Sequence, residues 1–277
     1  MKRTKRTLSL LVALAMVLLS ATTAFAGTYS IFGDDDRTSV STTSGTNYSI
    51  CKIEITFDNG DVEYGTGFLT SSTKVITAGH VLRYKKKDGT PKTAKKLKLY
   101  FGCTGTKTAN EIVEVDCTSE NIYYPSSWAS SYGAASDYGA IKLPKEVTGP
   151  TKFFTLGTIS NSDAASADIT ITGYENHGYY IPPHYFTNWQ LLQCSGKTTG
   201  YTAGTLRTRM DTMPGQSGAP VVYKGSVVGI YTYSVNGSQN QKPPYIYPDD
   251  STEYNQITRI TSDVQTELIN CFKTEKG

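Results

Sequence analysis

The sequence has little of what metal centres, dinucleotide sites and membrane spans need. Its three histidines, His80, His177 and His184, lie far apart along the chain. There is no CxxC pair and no His/Cys cluster, so no metal-ligand spacing is present. No glycine-rich nucleotide loop occurs, and no internal repeat. After residue 26 no stretch reaches the roughly 18 apolar residues of a spanning helix. Leucine is sparse beyond that point. Thr, Ser, Gly and Tyr take its place, with 25 Gly and 20 Tyr in 277 residues. Short β-branched runs alternate with Gly, Pro, Asn and Asp, the composition of an all-β chain with many turns.

Residues 1–26 stand apart. Lys2, Arg3, Lys5 and Arg6 form a basic head, Leu8 to Leu19 an apolar run interrupted by Ser9, and Ala24-Phe25-Ala26 a small-residue cleavage pattern. This is the pattern of a secretory signal peptide, with an uncleaved anchor as the alternative. Cleavage after Ala26 starts the mature chain at Gly27 and leaves hardly any propeptide. It also changes the charge. Of 27 basic and 24 acidic residues, the segment holds four basic and no acidic ones, so 23 basic face 24 acidic in the remainder. The apparent basicity belongs to the targeting signal and not to a nucleic-acid footprint. The expected protein is secreted, free of the membrane after signal cleavage, without a nucleic-acid partner, and a monomer.

Export permits disulfides. With five cysteines, Cys51, Cys103, Cys117, Cys194 and Cys271, at least one thiol is free or pairs between chains. Cys103 and Cys117 flank a turn-rich segment and are candidates to bridge a hairpin.

Residues 27–50 are polar and read as an extended N-terminal arm. Cys51 to Phe57 alternates around Ile53, Ile55 and Phe57, Asp58-Asn59-Gly60-Asp61 is a hairpin turn, and Val62 to Thr70 returns. Lys74 to Thr77, Leu97 to Phe101, Ile112 to Val115 and Tyr138 to Leu143 complete about six strands before a break near Gly149-Pro150. Asp168 to Tyr174, Trp189 to Cys194, Thr205 to Met210, Pro220 to Tyr223 and Val227 to Tyr231 are strands of a second half, and 234–255 reads as a loop. In the tail, Ser262 can cap a helix that carries Val264, Leu268, Cys271 and Phe272 on one face. The expected organisation is a first β unit over 51–148, a second over 149–260, and a terminal helix and tail over 261–277. Strand counting fits two packed six-stranded antiparallel barrels or a single sandwich.

Three segments carry chemistry. Acyl transfer by a serine needs a base for its proton, an acceptor that orients the base, and fixed donors for the oxyanion. Ser217 lies in Pro214-Gly215-Gln216-Ser217-Gly218-Ala219-Pro220, where small residues let a substrate approach the backbone. Gly215 can turn its N–H into the site, so the Gly215 and Ser217 amides are candidate oxyanion donors. His80 lies in Thr77-Ala78-Gly79-His80, at the end of an apolar strand. Asp137 precedes the apolar run Tyr138 to Leu143, which could partly bury its carboxylate. Separately, each has a plain structural reading: a glycine turn, a surface histidine, a strand-edge acid.

Together, Thr77 to His80, Asp137 to Leu143 and Asp211 to Pro220, in that order, resemble the chymotrypsin-like serine proteases, and within them the bacterial glutamyl endopeptidase branch. The arm Ser30 to Arg37 resembles the start of mature bacterial members, so the likeness runs from about residue 30 to 235. It implies a double β-barrel and a His80–Asp137–Ser217 triad that hydrolyses peptide bonds in proteins or peptides without a cofactor or metal. It also implies a substrate pocket formed by Thr212, Tyr231, Thr232 and Tyr233. Departures accompany it. The positions of a disulfide found beside the histidine in many relatives are Gly65 and Val81 here. Gln216 stands where the animal enzymes carry the Asp of their zymogen switch. Tyr231 stands where glutamyl-specific relatives carry a His, so a neutral phenol replaces a cation and preference for Glu or Asp rests on Thr212 and Tyr231. Asp211 occupies the place of the trypsin pocket acid. The alternatives are a catalytically idle, protease-like peptide-binding protein and a secreted β-sandwich adhesin.

Overall fold

A computed structural model describes residues 30–86, 88–105, 107–176, 180–181, 184–185, 189–235, 246–247 and 253–273. Residues 1–29 and His177 lie outside them. Two short strands come first, β1 (Ile31–Phe32) and β2 (Thr38–Ser39). The first sheet is built from β3 (Ile50–Phe57), β4 (Val62–Ser71), β5 (Lys74–Thr77), β6 (Arg83–Lys85), β7 (Pro91–Phe101), β8 (Glu111–Asp116), β9 (Ile122–Tyr123) and β10 (Gly139–Lys142). The second half supplies β11 (Asp168–Tyr174), the small hairpin β12 (Tyr180–Ile181) and β13 (His184–Tyr185), β14 (Leu191–Tyr201), β15 (Thr205–Thr208), β16 (Pro220–Tyr223), β17 (Ser226–Val235), β18 (Ile246–Tyr247) and β19 (Tyr254–Arg259).

The fold is all-β and chymotrypsin-like. In the second half the order is β11-β16-β17-β19-β15-β14, and β14 pairs back onto β11, closing a six-stranded antiparallel barrel. The first sheet is open where the sequence predicted a second closed barrel of six. Its path is β6-β7-β3-β4-β5-β10-β9, with β8 on the free stretch of β7. The extra strands, β6 and β9, have three and two residues and prolong the edges. Inside the closed barrel, Ile169, Ile171, Leu206, Val221, Val228 and Ile257 form one core. Ile53, Ile55, Phe68, Val75, Leu97, Leu99 and Val113 anchor the other.

The predicted turn at Asp58 to Asp61 joins β3 to β4, with Gly60 at φ +86° and the Phe57 carbonyl accepting the Gly60 N–H at 3.0 Å. Several strands depart from expectation, β17 running on to Val235 and β15 stopping at Thr208 among them. β7 starts at Pro91 and β14 runs to Tyr201, because polar residues continue both ladders beyond their apolar cores. β19 was hidden in sequence read as loop and helix approach, yet it pairs with both β15 and β17.

The terminal helix α1 (Ser262–Asn270) is capped by Thr261, whose hydroxyl accepts the Val264 N–H at 3.3 Å, so the cap lies one residue before Ser262. Val264 and Leu268 are buried, with Cys271 and Phe272 packed at the edge of the core. Glu267 accepts both the Tyr123 and Tyr138 hydroxyls at 2.7 Å, tying the helix to the strand that follows Asp137.

The Cys103–Cys117 bridge is not formed, and all five thiols are free. The register explains it. Phe101 pairs with Glu111 and Lys96 with Asp116, so Cys103 lies past one end of the β7–β8 hairpin and Cys117 past the other. Burial pushes the Cys103 and Cys117 thiols up to about 12. The native protein at pH 8 should therefore react slowly with a thiol reagent, and unfolding without reductant should expose five reactive thiols. A count below five would contradict this arrangement.

Candidate active site

Strand pairing brings His80 and Asp137 together. β5 ends at Thr77, and Ala78 caps a single helical turn, Gly79–Leu82, that carries His80. β10 runs antiparallel to β5 with Gly139 opposite Thr77, so the residues just before β10 meet those just after β5. Asp137 comes there from a 3₁₀ turn at Ala134–Ser136. A side chain at Gly79 would sit 3.1 Å from Asp137 Oδ1 and from the Trp128 ring, so a small residue is needed. The Asp137 carboxylate is fully buried and grips His80 twice. Its Oδ1 accepts the His80 backbone N–H at 2.8 Å, and its Oδ2 meets Nδ1 at 2.8 Å. An ionised carboxylate only accepts, so the Nδ1 position carries the proton and the neutral ring keeps Nε2 as its basic nitrogen. The Thr258 hydroxyl lies 2.7 Å from the Ala134 carbonyl and 3.1 Å from that of Asp137, holding the turn from behind.

Ser217 reaches the same seam on a loop shaped by two left-handed glycines, Gly215 at φ +95° and Gly218 at φ +91°. Gly218 lies against Thr66 O and Thr77 Oγ1, too close for any Cβ, and a Cβ there would be 3.1 Å from the Ala78 nitrogen, two residues before His80. The Thr66 N–H donates to the Ser217 carbonyl at 2.8 Å, and the Gly218 N–H to the Tyr231 carbonyl at 2.8 Å. The Ser217 hydroxyl is partly exposed and donates to the Thr232 carbonyl at 3.0 Å. The Pro214 carbonyl accepts the Asn176 N–H at 2.7 Å. In a trans peptide the N–H points opposite to the carbonyl, so the Gly215 N–H faces away from Asn176. Among the described residues neither the Gly215 nor the Ser217 N–H has a partner. Gln216 is buried, and its Oε1 accepts the Met213 N–H at 2.7 Å, which secures the loop without a buried charge.

Thr212 and Tyr231 are buried, with their hydroxyls 2.7 Å apart, and Asn255 Nδ2 donates to Thr212 Oγ1 at 2.7 Å. Thr232 bonds through its hydroxyl to the Gln256 carbonyl at 2.9 Å. Tyr233 is partly exposed, and burial followed by the Asp137 charge raises its phenol pKa. Gly65 and Val81, the positions of the missing disulfide, do face each other: a Cβ on Gly65 would lie 2.9 Å from Val81 Cγ2.

Asp211 does not present its carboxylate as a bare pocket acid. It holds the N-terminal arm, accepting the Phe32 N–H and the Asp36 N–H at 2.8 Å each. Beside it, Ser30 and Thr212 exchange backbone bonds at 3.2 and 3.0 Å. Arg37, fully buried, pairs with Asp35 at 2.8 Å and Glu175 at 3.3 Å, and buried Lys52 donates to the Glu175 carbonyl at 2.6 Å. Burial pushes the Asp211 carboxyl up to about 7. The two N–H bonds oppose the rise, and the charges of Asp36 and Asp35 add to it. Burial likewise raises Glu175 to about 7, with Arg37 and Lys52 opposing. Sequence reasoning missed Thr66, Asn176, Thr258 and the Arg37–Glu175 pair, which no local pattern marks.

A family model described as Trypsin matches residues 40–257. The fold and this match define a chymotrypsin-like serine endopeptidase. The chain belongs to the Trypsin family. The chain is 28% identical over 250 residues to "Glutamyl endopeptidase" of Bacillus licheniformis, covering 87% of this chain and 68% of that protein. It is 27% identical over 237 residues to "Extracellular metalloprotease" of Bacillus subtilis, covering 85% and 67%. Among solved structures, a Glu endopeptidase in complex with MPD superposes with a TM-score of 0.66 at 22% identity, over 88% of this chain and 99% of that one. A scabies mite inactivated protease paralogue also superposes, with a TM-score of 0.57 at 13% identity, over 87% and 95%. The fold alone therefore does not distinguish a working enzyme from an inactivated one. The name of the Bacillus subtilis relative refers to a metal. Among the described residues here, no group of three or more His, Cys, Asp or Glu converges to hold one.

The raised carboxyls fix a pH dependence. Folded Asp211 and Glu175 keep their protons up to about 7, while unfolded they release them near 4. Between these values the folded state binds more protons, so raising the pH destabilises it. Lys52, lowered to about 8 by burial, acts only above that window. The melting temperature should fall from pH 5 to pH 7. In Asp211→Asn the slope should flatten, and an unchanged slope would contradict the assignment.

Proposed function

We propose that this chain is a secreted endopeptidase that cleaves through a His80–Asp137–Ser217 triad. The observation that carries the reading is the double grip of the buried Asp137 carboxylate on His80, with the Ser217 loop packed two residues away at Ala78. His80 Nε2 removes the Ser217 proton as Oγ attacks the scissile carbonyl. Asp137 keeps the proton on Nδ1 and stabilises the imidazolium. The Gly215 and Ser217 N–H groups receive the oxyanion. His80 then protonates the leaving amine, and water, activated by the same ring, hydrolyses the acyl-enzyme. Secretion is supported by the pattern of residues 1–26 and by the word "Extracellular" in the name of the Bacillus subtilis relative.

For specificity we propose a pocket with a neutral floor. The hydrogen-bonded pair of Thr212 and Tyr231 hydroxyls supplies its donor, flanked by Thr232 and Tyr233, and favours a carboxylate side chain before the cleaved bond. The Bacillus licheniformis relative is named for that preference. The Asp211 carboxylate is taken up by the arm, so a Lys or Arg side chain lacks a counter-charge.

In peptide-library profiling, cuts should follow Glu or Asp, and Tyr231→His should sharpen that preference by adding a donor that can carry charge. Cuts after Lys or Arg would sink the pocket reading while keeping the protease. Ser217→Ala should lower kcat by about 10⁴–10⁶-fold, and a variant retaining a tenth of the activity would overturn the triad.

A further inference from the structure

The loop that carries Ser217 needs a device to hold the Gly215 peptide, since Gln216 removes the charged switch of the animal enzymes. We propose that the Thr66 hydroxyl is this device, a positioning residue for the oxyanion loop. The inference rests on the reading of Gly215 and Ser217 N–H as oxyanion donors.

Thr66 lies inside β4 and is completely buried. Its hydroxyl spans the seam between the two sheets. It accepts the N–H of Tyr174, the last residue of β11, at 3.0 Å, and donates to the Gly215 carbonyl at 2.7 Å. Its only hydrogen points along the shorter bond, since the Tyr174 carbonyl is at 3.4 Å. Gly173 leaves the room for it: a Cβ there would stand 3.3 Å from Thr66 Oγ1 and 2.9 Å from Ala219 Cβ. The backbone of Thr66 serves the same loop. Its N–H holds the Ser217 carbonyl at 2.8 Å, and its carbonyl accepts the Thr77 hydroxyl at 2.8 Å.

The consequence is geometric. Gly215 sits between two peptide planes, and a glycine at φ +95° has little intrinsic preference to keep them there. The plane before it is pinned at the Pro214 carbonyl by Asn176, and the plane after it is held at the Gly215 carbonyl by Thr66 at 2.7 Å and, more loosely, at the Gln216 N–H by the Met213 carbonyl at 3.2 Å. With both fixed, the Gly215 N–H stays on the open side next to Ser217. Without the Thr66 bond the second plane keeps only the longer Met213 contact, so the dihedrals on either side of it loosen and the Gly215 and Ser217 N–H groups lose their fixed geometry relative to each other. Such preorganisation acts on the transition state more than on the bound substrate.

The test compares Thr66→Val, which keeps the branched shape and removes the hydroxyl, with Thr66→Ser, which keeps the hydroxyl, beside Ser217→Ala. Thr66→Val should lower kcat by about 10–100-fold, up to the roughly 100-fold cost of a 1 Å misplacement and below the roughly 10²–10³-fold cost of losing an oxyanion donor outright, with KM changed less than about threefold. Thr66→Ser should recover most of the rate. Should Thr66→Val not fold, Thr66→Ala carries the same expectation, with rates expressed per folded molecule from circular dichroism. A kcat within about threefold of wild type, a loss confined to KM, or a Thr66→Ser variant as impaired as Thr66→Val would overturn the inference. An active Ser217→Ala would instead overturn the triad reading on which it rests.

Discussion

The site depends on one close approach. The bare Cα of Gly218 lies against the Thr66 carbonyl and the Thr77 hydroxyl, next to the Ala78 nitrogen. No side chain fits there, and φ +91° suits glycine alone among the residues. This contact joins the loop of the closed barrel to the strand pair β4–β5 of the open sheet. His80 follows β5 directly, and β10 returns Asp137 to its side. The proximity of segments some 140 positions apart in the chain thus reduces to one antiparallel register and one glycine contact.

The N-terminal arm is the second structural element of the site. It adds β2 to the edge of the closed barrel at Leu192 and Gln193. Its backbone amides use up the Asp211 carboxylate, and its Arg37 reaches Glu175, which precedes the Asn176 amide that holds Pro214. A buried group of carboxylates served by two cations would be unfavourable without the bonds that the arm supplies. The arm therefore sets the surroundings of Asp211 as well as adding a strand to β14, and it does so from a part of the sequence that reads as polar and extended.

The three proposed triad positions stood out because each lies in a short run of small and apolar residues with its own local logic. His80 lies in the helical turn that follows a strand, Asp137 precedes one by two residues, and Ser217 lies between Gly215 and Gly218. Their direct contact, His80 to Asp137, is long-range and follows from pairing that no single segment announces. The strand cores were equally readable, but β7, β14 and β19 exceeded them, since hydrogen-bonded ladders continue through polar residues when a neighbour is available. The Cys103–Cys117 bridge failed because proximity in sequence across a turn is not proximity in register. Thr66 was invisible for a different reason. An inward threonine in a strand looks like any β-branched residue, and its role is set by what the second sheet and the Ser217 loop place around its hydroxyl.

The most direct measurement is reaction with a fluorophosphonate that phosphonylates an activated serine, followed by mass mapping of the modified peptide. A single adduct should form on Ser217, in step with loss of peptidase activity, and more slowly when His80 is replaced by alanine. An adduct on another residue, or a folded, peptide-binding protein whose Ser217 does not react, would contradict the proposed triad.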